Sequence, residues 1–427
     1  MNDWHQHPVW HPFTQMRTAA PPLEISHARN SSLYTTDGRV LIDGIASWWV
    51  NVHGHAHPDI AAAISHQAQT LEQVIFAGFT HQPALQLATG LLHLFGGHYN
   101  KVFYSDDGST SVEVALKMAM QYWNNQGINH KRTILALEGA YHGDTFGGMS
   151  IAARNGFNEA FNDYLFDVVH LPVPTDTTSL QKALEVLRDA GKDDAGALFI
   201  FEPLVQGAAG MIMYPPEHLD LLMQEARNLN ILCIADEVMT GFGRTGKLFA
   251  TDYLKHRADI ICLSKGITGG FLPLGATLCT AAIYEAFHST ESRHTFYHGH
   301  SYTANPIACA AAVASLKLLT DESCTRQRNS ISELHHQFAS SIQQHPAVRE
   351  VRQLGTILAI ELESDEPTSY FNTAGKSINQ FFLERSIYLR PLGNVVYVMP
   401  PYCITEIELK QIYTAIEELL QSKTAAS

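Results

Sequence analysis

Two ionisable residues follow successive apolar segments of the chain. The segment ILCIAD (231–236) ends on Asp236, and DIICLS (259–264) is followed directly by Lys265. Both segments have the length and composition of buried strands. If these strands are parallel neighbours, a carboxylate and an amine lie at their carboxyl ends, where α/β sheets bind ligands. The pair could form an ordinary salt bridge, or the lysine could form a Schiff base with a carbonyl compound.

A Schiff-base lysine with an acidic partner for a pyridinium nitrogen is the arrangement of pyridoxal-phosphate enzymes. Such enzymes also need a phosphate site. Gly108 and Ser109 lie between a strand-like run and a helical segment, where backbone N–H groups bind phosphate well. They also need an aromatic face, and Tyr141 and His142 follow another strand-like run. A capped helix and simple loop packing would explain each feature alone, but together they favour pyridoxal phosphate.

A glycine-rich loop follows Asp236 and invites a nucleotide-binding interpretation. Gly241, Gly243 and Gly246 match G-x-G-x-x-G, and with Lys247 they match most of a P-loop. A dinucleotide fingerprint needs its first glycine directly at the strand end, but acidic residues stand there. A P-loop needs Ser or Thr after its lysine, and residue 248 is leucine. We therefore expect a loop that shapes a wall and binds no nucleotide.

The elements around these residues alternate between strand-like and helical patterns. Between about residues 85 and 278, apolar runs alternate with amphipathic segments, which predicts an α/β fold with a mostly parallel sheet. Thr110 with Glu113, and Thr405 with Glu408, have capping-box spacing. We predict an N-terminal segment (1–60) that joins the small domain, a large cofactor-binding domain (61–310) and a small C-terminal α+β domain (311–427). The strand-like runs are KVFYS (101–105), TILAL (133–137), GALFIF (196–201), ILCIAD and DIICLS.

Composition limits the partners that the chain could have. The formal charge of −14 disfavours binding to nucleic acid. No secretory signal and no apolar stretch of membrane-spanning length is visible, and the six cysteines are scattered, so we expect no membrane partner and a cytoplasmic location. His53, His55 and His57 alternate, but no carboxylate or cysteine completes a ligand set at a clear spacing, so we expect no metal.

These segments resemble the class III, fold-type I pyridoxal-phosphate aminotransferases. The resemblance implies a large domain with a mostly parallel central sheet, a smaller α+β domain and the cofactor pyridoxal 5′-phosphate. It also implies a homodimer with shared active sites, and a GFGRTGK loop that borders the active site. The matching stretches cover nearly the whole chain in order: DDGSTSVEVALKMA, AYHGDTFG, FEPLVQGAAGM, ADEVMTGFGRTGK, LSKGITGG and HGHSYTANPIACAAA.

The resemblance also implies a role for each matching residue. Lys265 would bind the cofactor covalently and transfer a proton, and Asp236 would pair with the pyridine nitrogen. Tyr141 would lie against the cofactor ring and contact the substrate. The remaining cofactor contacts would come from Gly108 and Ser109 at the phosphate, and from His300 and Ser301 reaching in from the neighbouring subunit.

Three further segments, WHPFTQM, DGIASWWVNVHGHAHP and LRPLGNVVYVMPPY, narrow the resemblance to one branch of the family. This branch transfers an amino group to 8-amino-7-oxononanoate in biotin biosynthesis. Trp48 and Gly299 would border the substrate pocket together with Tyr141 and Lys265. Arg390 would bind the substrate carboxylate, which agrees with the bidentate geometry of arginine.

Some assignments stay open at this point. S-adenosylmethionine is the expected amino donor, but Phe13 stands where this branch has tyrosine, so lysine is an alternative donor. An ω-amino-acid aminotransferase of the 4-aminobutyrate or ornithine type is a second alternative, and an aminomutase is a third. Arg244 could contact a substrate carboxylate or only stabilise its loop. Glu202 and Gln206 could support the cofactor ring and its loop, or only bond locally at a strand end.

Overall fold

The structure is a computed structural model that describes residues 7–425. Its strands are β1 (Ile25–Arg29), β2 (Ser32–Thr35), β3 (Val40–Asp43), β4 (Lys101–Ser105), β5 (Thr133–Leu137), β6 (Val169–Leu171), β7 (Gly196–Phe201), β8 (Val205–Gln206), β9 (Ile212–Met213), β10 (Leu232–Asp236), β11 (Ile260–Leu263), β12 (Gly275–Cys279), β13 (Val348–Leu354), β14 (Ile357–Leu362), β15 (Ile387–Tyr388) and β16 (Val395–Val398). Its helices are α1 (Ala46–Trp49), α2 (Pro58–Ala68), α3 (Gln82–Leu94), α4 (Gly108–Asn125), α5 (Phe146–Ile151), α6 (Thr177–Ala190), α7 (Pro216–Asn228), α8 (Ala281–Glu285), α9 (Pro306–Leu319), α10 (Glu322–Ile342), α11 (Ala374–Leu383) and α12 (Glu406–Ala425).

A seven-stranded sheet has the order β4-β12-β11-β10-β7-β5-β6 and lies within residues 61–310, which we predict to form the large domain. Only β12 in this sheet runs antiparallel to its neighbours β11 and β4, so the predicted α/β fold with a mostly parallel sheet is confirmed. All five predicted strands are present. β10 and β11 are parallel neighbours with Asp236 opposite Cys262. β7, β10 and β11 are buried along their whole length, which explains their almost entirely apolar sequences.

The smaller part of the fold is mostly antiparallel and includes the N-terminal strands. β13, β14 and β16 form one sheet, with α10 packed on β13 and β14. β1, β2 and β3 form another sheet, which β15 joins by pairing with β3. The predicted boundary at residues 310 and 311 falls inside α9, which packs on α2 and α3, so we propose to move the boundary past Leu319. Within residues 7–425, no helix is long and apolar enough to cross a membrane.

The start of α4 differs from the prediction in one detail. The capping box predicted for Thr110 and Glu113 is wrong, because the helix begins earlier, at Gly108. Asp107 is the N-cap, and its side chain accepts from the Thr110 N–H at 2.7 Å. Glu113 instead accepts from the Gly147 N–H at 2.7 Å, at the N-terminus of α5, where a carboxylate stabilises the exposed donors.

Two buried histidines tie the stability of the fold to pH. His335 is completely buried, with Nδ1 2.7 Å from the Tyr413 hydroxyl and Nε2 3.2 Å from the Thr356 carbonyl oxygen. Burial lowers the pKa of His335 to about 3. Burial, followed by the charge of His57, lowers the pKa of His53 to about 4. The unfolded chain therefore binds more protons than the folded chain below pH of about 6.5, and stability is lost as the pH falls through that window.

We expect each of these two histidines to lower the free energy of unfolding by about 2 kcal/mol between pH 7.5 and pH 5.0. Urea unfolding at the two pH values measures the loss. His335→Gln should reduce that loss by about 2 kcal/mol. The control His336→Gln, which changes an exposed residue of the same helix, should keep the full loss. Equal losses in both variants would contradict the prediction.

Candidate active site

A cavity of about 390 Å³ opens at the carboxyl ends of the parallel strands. Asp236 ends β10, Lys265 follows β11, and Glu202 follows β7. Tyr141 lies beyond β5, and the first turn of α4 closes one side. The lining residues are Trp49, Val50, Asp107, Gly108, Ser109, Tyr141, His142, Gly143, Glu202, Asp236, Val238, Met239, Ser264, Lys265, Gly270, Leu272, Pro273 and Leu274. The structure thus brings together five of the predicted site residues.

Asp236 presents a fixed carboxylate at the base of the cavity. Its Oδ1 accepts from the Val238 N–H at 3.0 Å, and its Oδ2 lies 2.6 Å from Nδ1 of the buried His142. His142 has no hydrogen-bond partner for Nε2 among the described residues. The sequence placed His142 at the aromatic face, but in the structure its imidazole orients the Asp236 carboxylate.

Lys265 reaches the same cavity from the next strand. Its Nζ lies 5.0 Å from the centre of the Trp49 ring, and no ion pair of 4.0 Å or less joins it to Asp236 in the described structure. The salt-bridge interpretation is therefore not supported. Burial lowers the pKa of Lys265, while the carboxylates of Asp236 and Glu202 act in the opposite direction. A lowered pKa increases the neutral, nucleophilic fraction of the amine.

The first turn of α4 forms a cradle for an anion. Gly108 and Ser109 are the first two residues of the helix, so their N–H groups have no acceptor within it. A Cβ on Gly108 would lie 2.6 Å from Val238 Cγ1, and a Cβ on Gly143 would lie 2.0 Å from Ser109 Oγ. Side chains at these glycines would fill the cradle. With Asp236 and Lys265 in the same cavity, the residues fit pyridoxal 5′-phosphate, whose phosphate, ring nitrogen and aldehyde need these three kinds of group.

Glu202 holds the backbone on the side of the cavity where Tyr141 lies. Its Oε1 accepts from the Tyr141 N–H at 3.1 Å, and its Oε2 accepts from the Gly207 N–H at 3.0 Å. Burial raises the pKa of Glu202 to about 7. Burial and the nearby Asp144 carboxylate raise the pKa of Tyr141 well above its usual value, so the phenol keeps its proton. Gln206 donates to the Glu138 carbonyl oxygen at 2.9 Å and supports the same loop.

A strained turn carries the two adjacent tryptophans. Ala46, Ser47 and Trp49 all have positive φ angles (52°, 61° and 71°), which costs free energy in residues other than glycine. The completely buried carboxylate of Asp43 compensates for this cost. It accepts from the Ser47 N–H at 2.6 Å and lies 2.9 Å from His55 Nε2. The turn places Trp49 in the cavity wall and leaves Trp48 outside it, 39% exposed.

Asp43→Asn should weaken this turn, because the amide nitrogen cannot accept from the Ser47 N–H or from His55. We expect the free energy of unfolding to fall by about 2 kcal/mol, as urea unfolding would measure. We also expect weaker binding of ligands in the cavity, because the Trp49 wall loses its anchor. The control Asp163→Asn changes an exposed aspartate and should leave both values unchanged. A variant at Asp43 that matches this control would contradict the prediction.

Arg390 contacts Trp48, the sequence neighbour of the cavity residue Trp49, whereas Arg244 is buried. The Arg390 guanidinium carbon lies 4.9 Å from the centre of the Trp48 ring. Phe13 meets the same ring edge-on at 5.4 Å. Arg244 is completely buried and donates to the carbonyl oxygens of Trp49 and Pro400, at 3.1 and 2.8 Å. The structure therefore favours the loop-stabilising role for Arg244, and substrate binding by Trp48 and Arg390 stays a prediction.

Three predicted residues lie outside the cavity of their own chain. His300 Nε2 is 4.0 Å from Asp106 Oδ1, and the Ser301 carbonyl oxygen accepts from Gln73 at 2.8 Å. Gly299 is exposed. The role predicted for these residues concerns a neighbouring subunit and stays a prediction.

The glycine loop and the alternating histidines have structural partners. The N–H groups of Gly241, Gly243 and Gly246 donate to carbonyl oxygens within the loop region, which leaves them unable to cradle a phosphate. His53 bonds to Ser315, and His55 bonds to Asp43. Among residues 7–425, no group of three or more His, Cys, Asp or Glu side chains could hold a metal ion.

Several residues that line the cavity were not predicted from the sequence. Trp49 could not be distinguished from Trp48, because the strained turn between them follows neither helical nor strand periodicity. Val238 and Met239 lie in a loop directly after Asp236, so their position next to the predicted carboxylate could have indicated them. Leu272, Pro273 and Leu274 follow the glycine-rich stretch after Lys265 and have no chemical signature.

Comparison with known proteins places this site in a family. Residues 14–420 match the family described as aminotransferase class-III. The chain is 49% identical to the adenosylmethionine-8-amino-7-oxononanoate aminotransferase of Synechococcus elongatus, over 97% of this chain and 99% of that protein. The crystal structure of the enzyme of that name from Methanocaldococcus jannaschii is 35% identical, with a TM-score of 0.92 over 97% and 98% of the two chains. An amine transaminase from an uncultivated Pseudomonas species, solved in its PLP-bound form, is 30% identical, with a TM-score of 0.89 over 96% and 98%.

Proposed function

Because the chain belongs to the class-III aminotransferases, we propose that it transfers an amino group to 8-amino-7-oxononanoate, as the name of its relatives states. S-adenosylmethionine is the proposed donor and biotin biosynthesis the proposed pathway. The observation that carries the proposal is the 49% identity to one such enzyme over almost the full length of both chains. The cofactor is pyridoxal 5′-phosphate, which the PLP-bound relative also carries.

Different residues of the cavity would bind different parts of this cofactor. When bound, the cofactor withdraws electrons from the carbon that loses or gains a proton. Gly108 and Ser109 would hold its phosphate, and Asp236, oriented by His142, would stabilise the positive charge on its ring nitrogen. Lys265 would form the covalent link to the protein.

The chain's own acid–base chemistry centres on Lys265 Nζ. Its lowered pKa lets the released amine accept a proton from substrate and return it at the neighbouring atom. Tyr141, held at its backbone by Glu202, would lie against the ring as a protonated phenol. Trp49 covers Lys265 and excludes water from this side of the cavity.

The substrate end of the proposal rests on Arg390 and Trp48. An arginine beside an exposed aromatic face suits an aliphatic keto acid, with the chain on the ring and the carboxylate on the guanidinium. Phe13 has no hydroxyl to form a hydrogen bond with the amino donor, whereas this branch has tyrosine at that position. Lysine is therefore the alternative donor to S-adenosylmethionine. A donor panel with both compounds decides between them.

A homodimer with shared active sites completes the proposal. His300, Ser301 and Gly299 would contribute to the partner's phosphate and substrate sites. Tyr297 and Tyr302 flank this segment and are 73% and 67% exposed, as expected for side chains that a partner covers. Sedimentation equilibrium of the full chain tests the dimer.

The cytoplasmic location of the protein stays a prediction, which cell fractionation tests.

The function is tested with purified, cofactor-loaded protein. Incubation with S-adenosylmethionine and 8-amino-7-oxononanoate should form 7,8-diaminononanoate, detected by mass spectrometry. The main alternative is an ω-amino-acid aminotransferase, which the structural similarity to an amine transaminase also allows. Failure to form the diamine, with rapid consumption of 4-aminobutyrate or ornithine, would favour that alternative.

A further inference from the structure

Arg390 belongs to a closed ring of side chains from widely separated parts of the chain. Its guanidinium lies under Trp48, and Trp48 contacts Phe13. Phe13 meets the Phe157 ring at 5.9 Å, and Phe157 meets the Tyr370 ring edge-on at 4.7 Å. The Tyr370 hydroxyl closes the ring, because its oxygen accepts from Arg390 Nη2 at 2.9 Å. We call these five side chains the arginine box.

The box leaves the Arg390 guanidinium with unused binding capacity. Arg390 is half-buried, and no carboxylate of the described residues lies within 4.0 Å of it. The Tyr370 hydroxyl occupies only one of the five N–H donors of Arg390. A half-buried guanidinium without a counter-charge binds a carboxylate favourably, and the surrounding aromatic faces favour an apolar chain over a polar one.

Backbone packing fixes Tyr370 next to Arg390. Gly393 has a φ of +61°, and a Cβ there would lie 1.8 Å from the Ser369 carbonyl oxygen, so only glycine lets the two segments meet. Glu366 accepts from the Thr373 hydroxyl and N–H at 2.8 Å each, which anchors the other end of the segment. The Tyr370 hydroxyl is therefore positioned by its own loop.

We propose that Tyr370 is a positioning residue for the substrate carboxylate, a deepening that rests on the proposed function. Its oxygen accepts from Arg390 and fixes the guanidinium against Trp48, while its O–H proton is free to donate to the carboxylate. The rings of Phe157, Phe13 and Trp48 enclose the aliphatic part of the substrate next to this carboxylate. The box therefore selects keto acids with an unbranched aliphatic chain that ends in a carboxylate.

Tyr370→Phe removes the hydroxyl and keeps the ring. We expect the KM for 8-amino-7-oxononanoate to rise about tenfold, with kcat changed less than about twofold, because one hydrogen bond to a charged group is lost. The KM for an analogue with a methyl group in place of the carboxylate should not change. The amino-donor half-reaction, followed by cofactor absorbance, should also stay unchanged. Tyr164→Phe, at a tyrosine that is 77% exposed, is the control and should match the wild type.

Two results would overturn this role for Tyr370: an unchanged KM for the keto acid, or an equal rise in KM for the methyl analogue. Calorimetry with nonanoate and 1-nonanol tests the box even if the proposed reaction is not observed. Nonanoate should bind the wild type and bind Tyr370→Phe about tenfold more weakly, whereas 1-nonanol should not distinguish them. Absent nonanoate binding in the wild type, or equal dissociation constants, would also overturn it.

Discussion

Lys265→Ala protein is expected to fold normally and to lose amino transfer by at least about 10⁴-fold, because both the covalent link and the proton-transferring amine are removed. The fold should tolerate the change. In the described structure Lys265 forms no ion pair, so its removal leaves no buried charge without a partner. We expect the free energy of unfolding to stay within about 1 kcal/mol of the wild type.

Borohydride reduction separates the covalent role from a simple loss of activity. Reduced wild-type protein should carry the cofactor mass on the peptide that contains residue 265, and Lys265→Ala should carry none. Lys182→Ala, an exposed change on the outer helix α6, should keep full activity and full labelling at residue 265. Labelling of another lysine in the wild type, or substantial activity in Lys265→Ala, would contradict the assignment.

Asp236→Asn should lower kcat by about 10³-fold, because the amide cannot hold a positive charge on the ring nitrogen of the cofactor. The amide oxygen can still accept from the Val238 N–H, and its NH₂ group can face His142, so the local fold should persist. Stopped-flow absorbance with each substrate would show a slowed proton-transfer step in both half-reactions.

A half-buried carboxylate at the opposite end of the sheet is the control for this change. Asp259 accepts from the Cys233 N–H at 2.8 Å just before β11 begins, far from the cavity. Asp259→Asn keeps an oxygen that can accept from the Cys233 N–H and should leave kcat close to the wild-type value. If Asp236→Asn loses no more kcat than Asp259→Asn, the carboxylate at residue 236 has no direct role in the chemistry.

Local signals predicted much of the fold and the centre of the site. Asp236 and Lys265 could be located because buried parallel strands are short apolar runs whose polar ends face the ligand. Helix ends that depend on neighbouring residues were also predictable. Thr405 and Glu408 form the predicted capping box. Asn305 caps α9 through the same kind of local contact.

The features that escaped prediction depend on contacts between distant segments. The partner of Glu113 is the start of another helix, which the spacing around Thr110 could not reveal. The choice of Trp49 as the cavity wall depends on the carboxylate of Asp43, which holds a backbone that no periodic pattern describes. The arginine box likewise requires Phe157 and Tyr370 to meet, and neither residue has a chemical signature in the sequence.

The pairing of β15 with β3 has a consequence for synthesis of the protein. Ile42 emerges from the ribosome early, but its strand partner Ile387 emerges only near the end of translation. During most of elongation, the edge of β3 is therefore an unpaired template that other nascent chains could join. Truncation before residue 387 should leave this edge permanently open, so that the fragment aggregates and is lost from the supernatant after lysis.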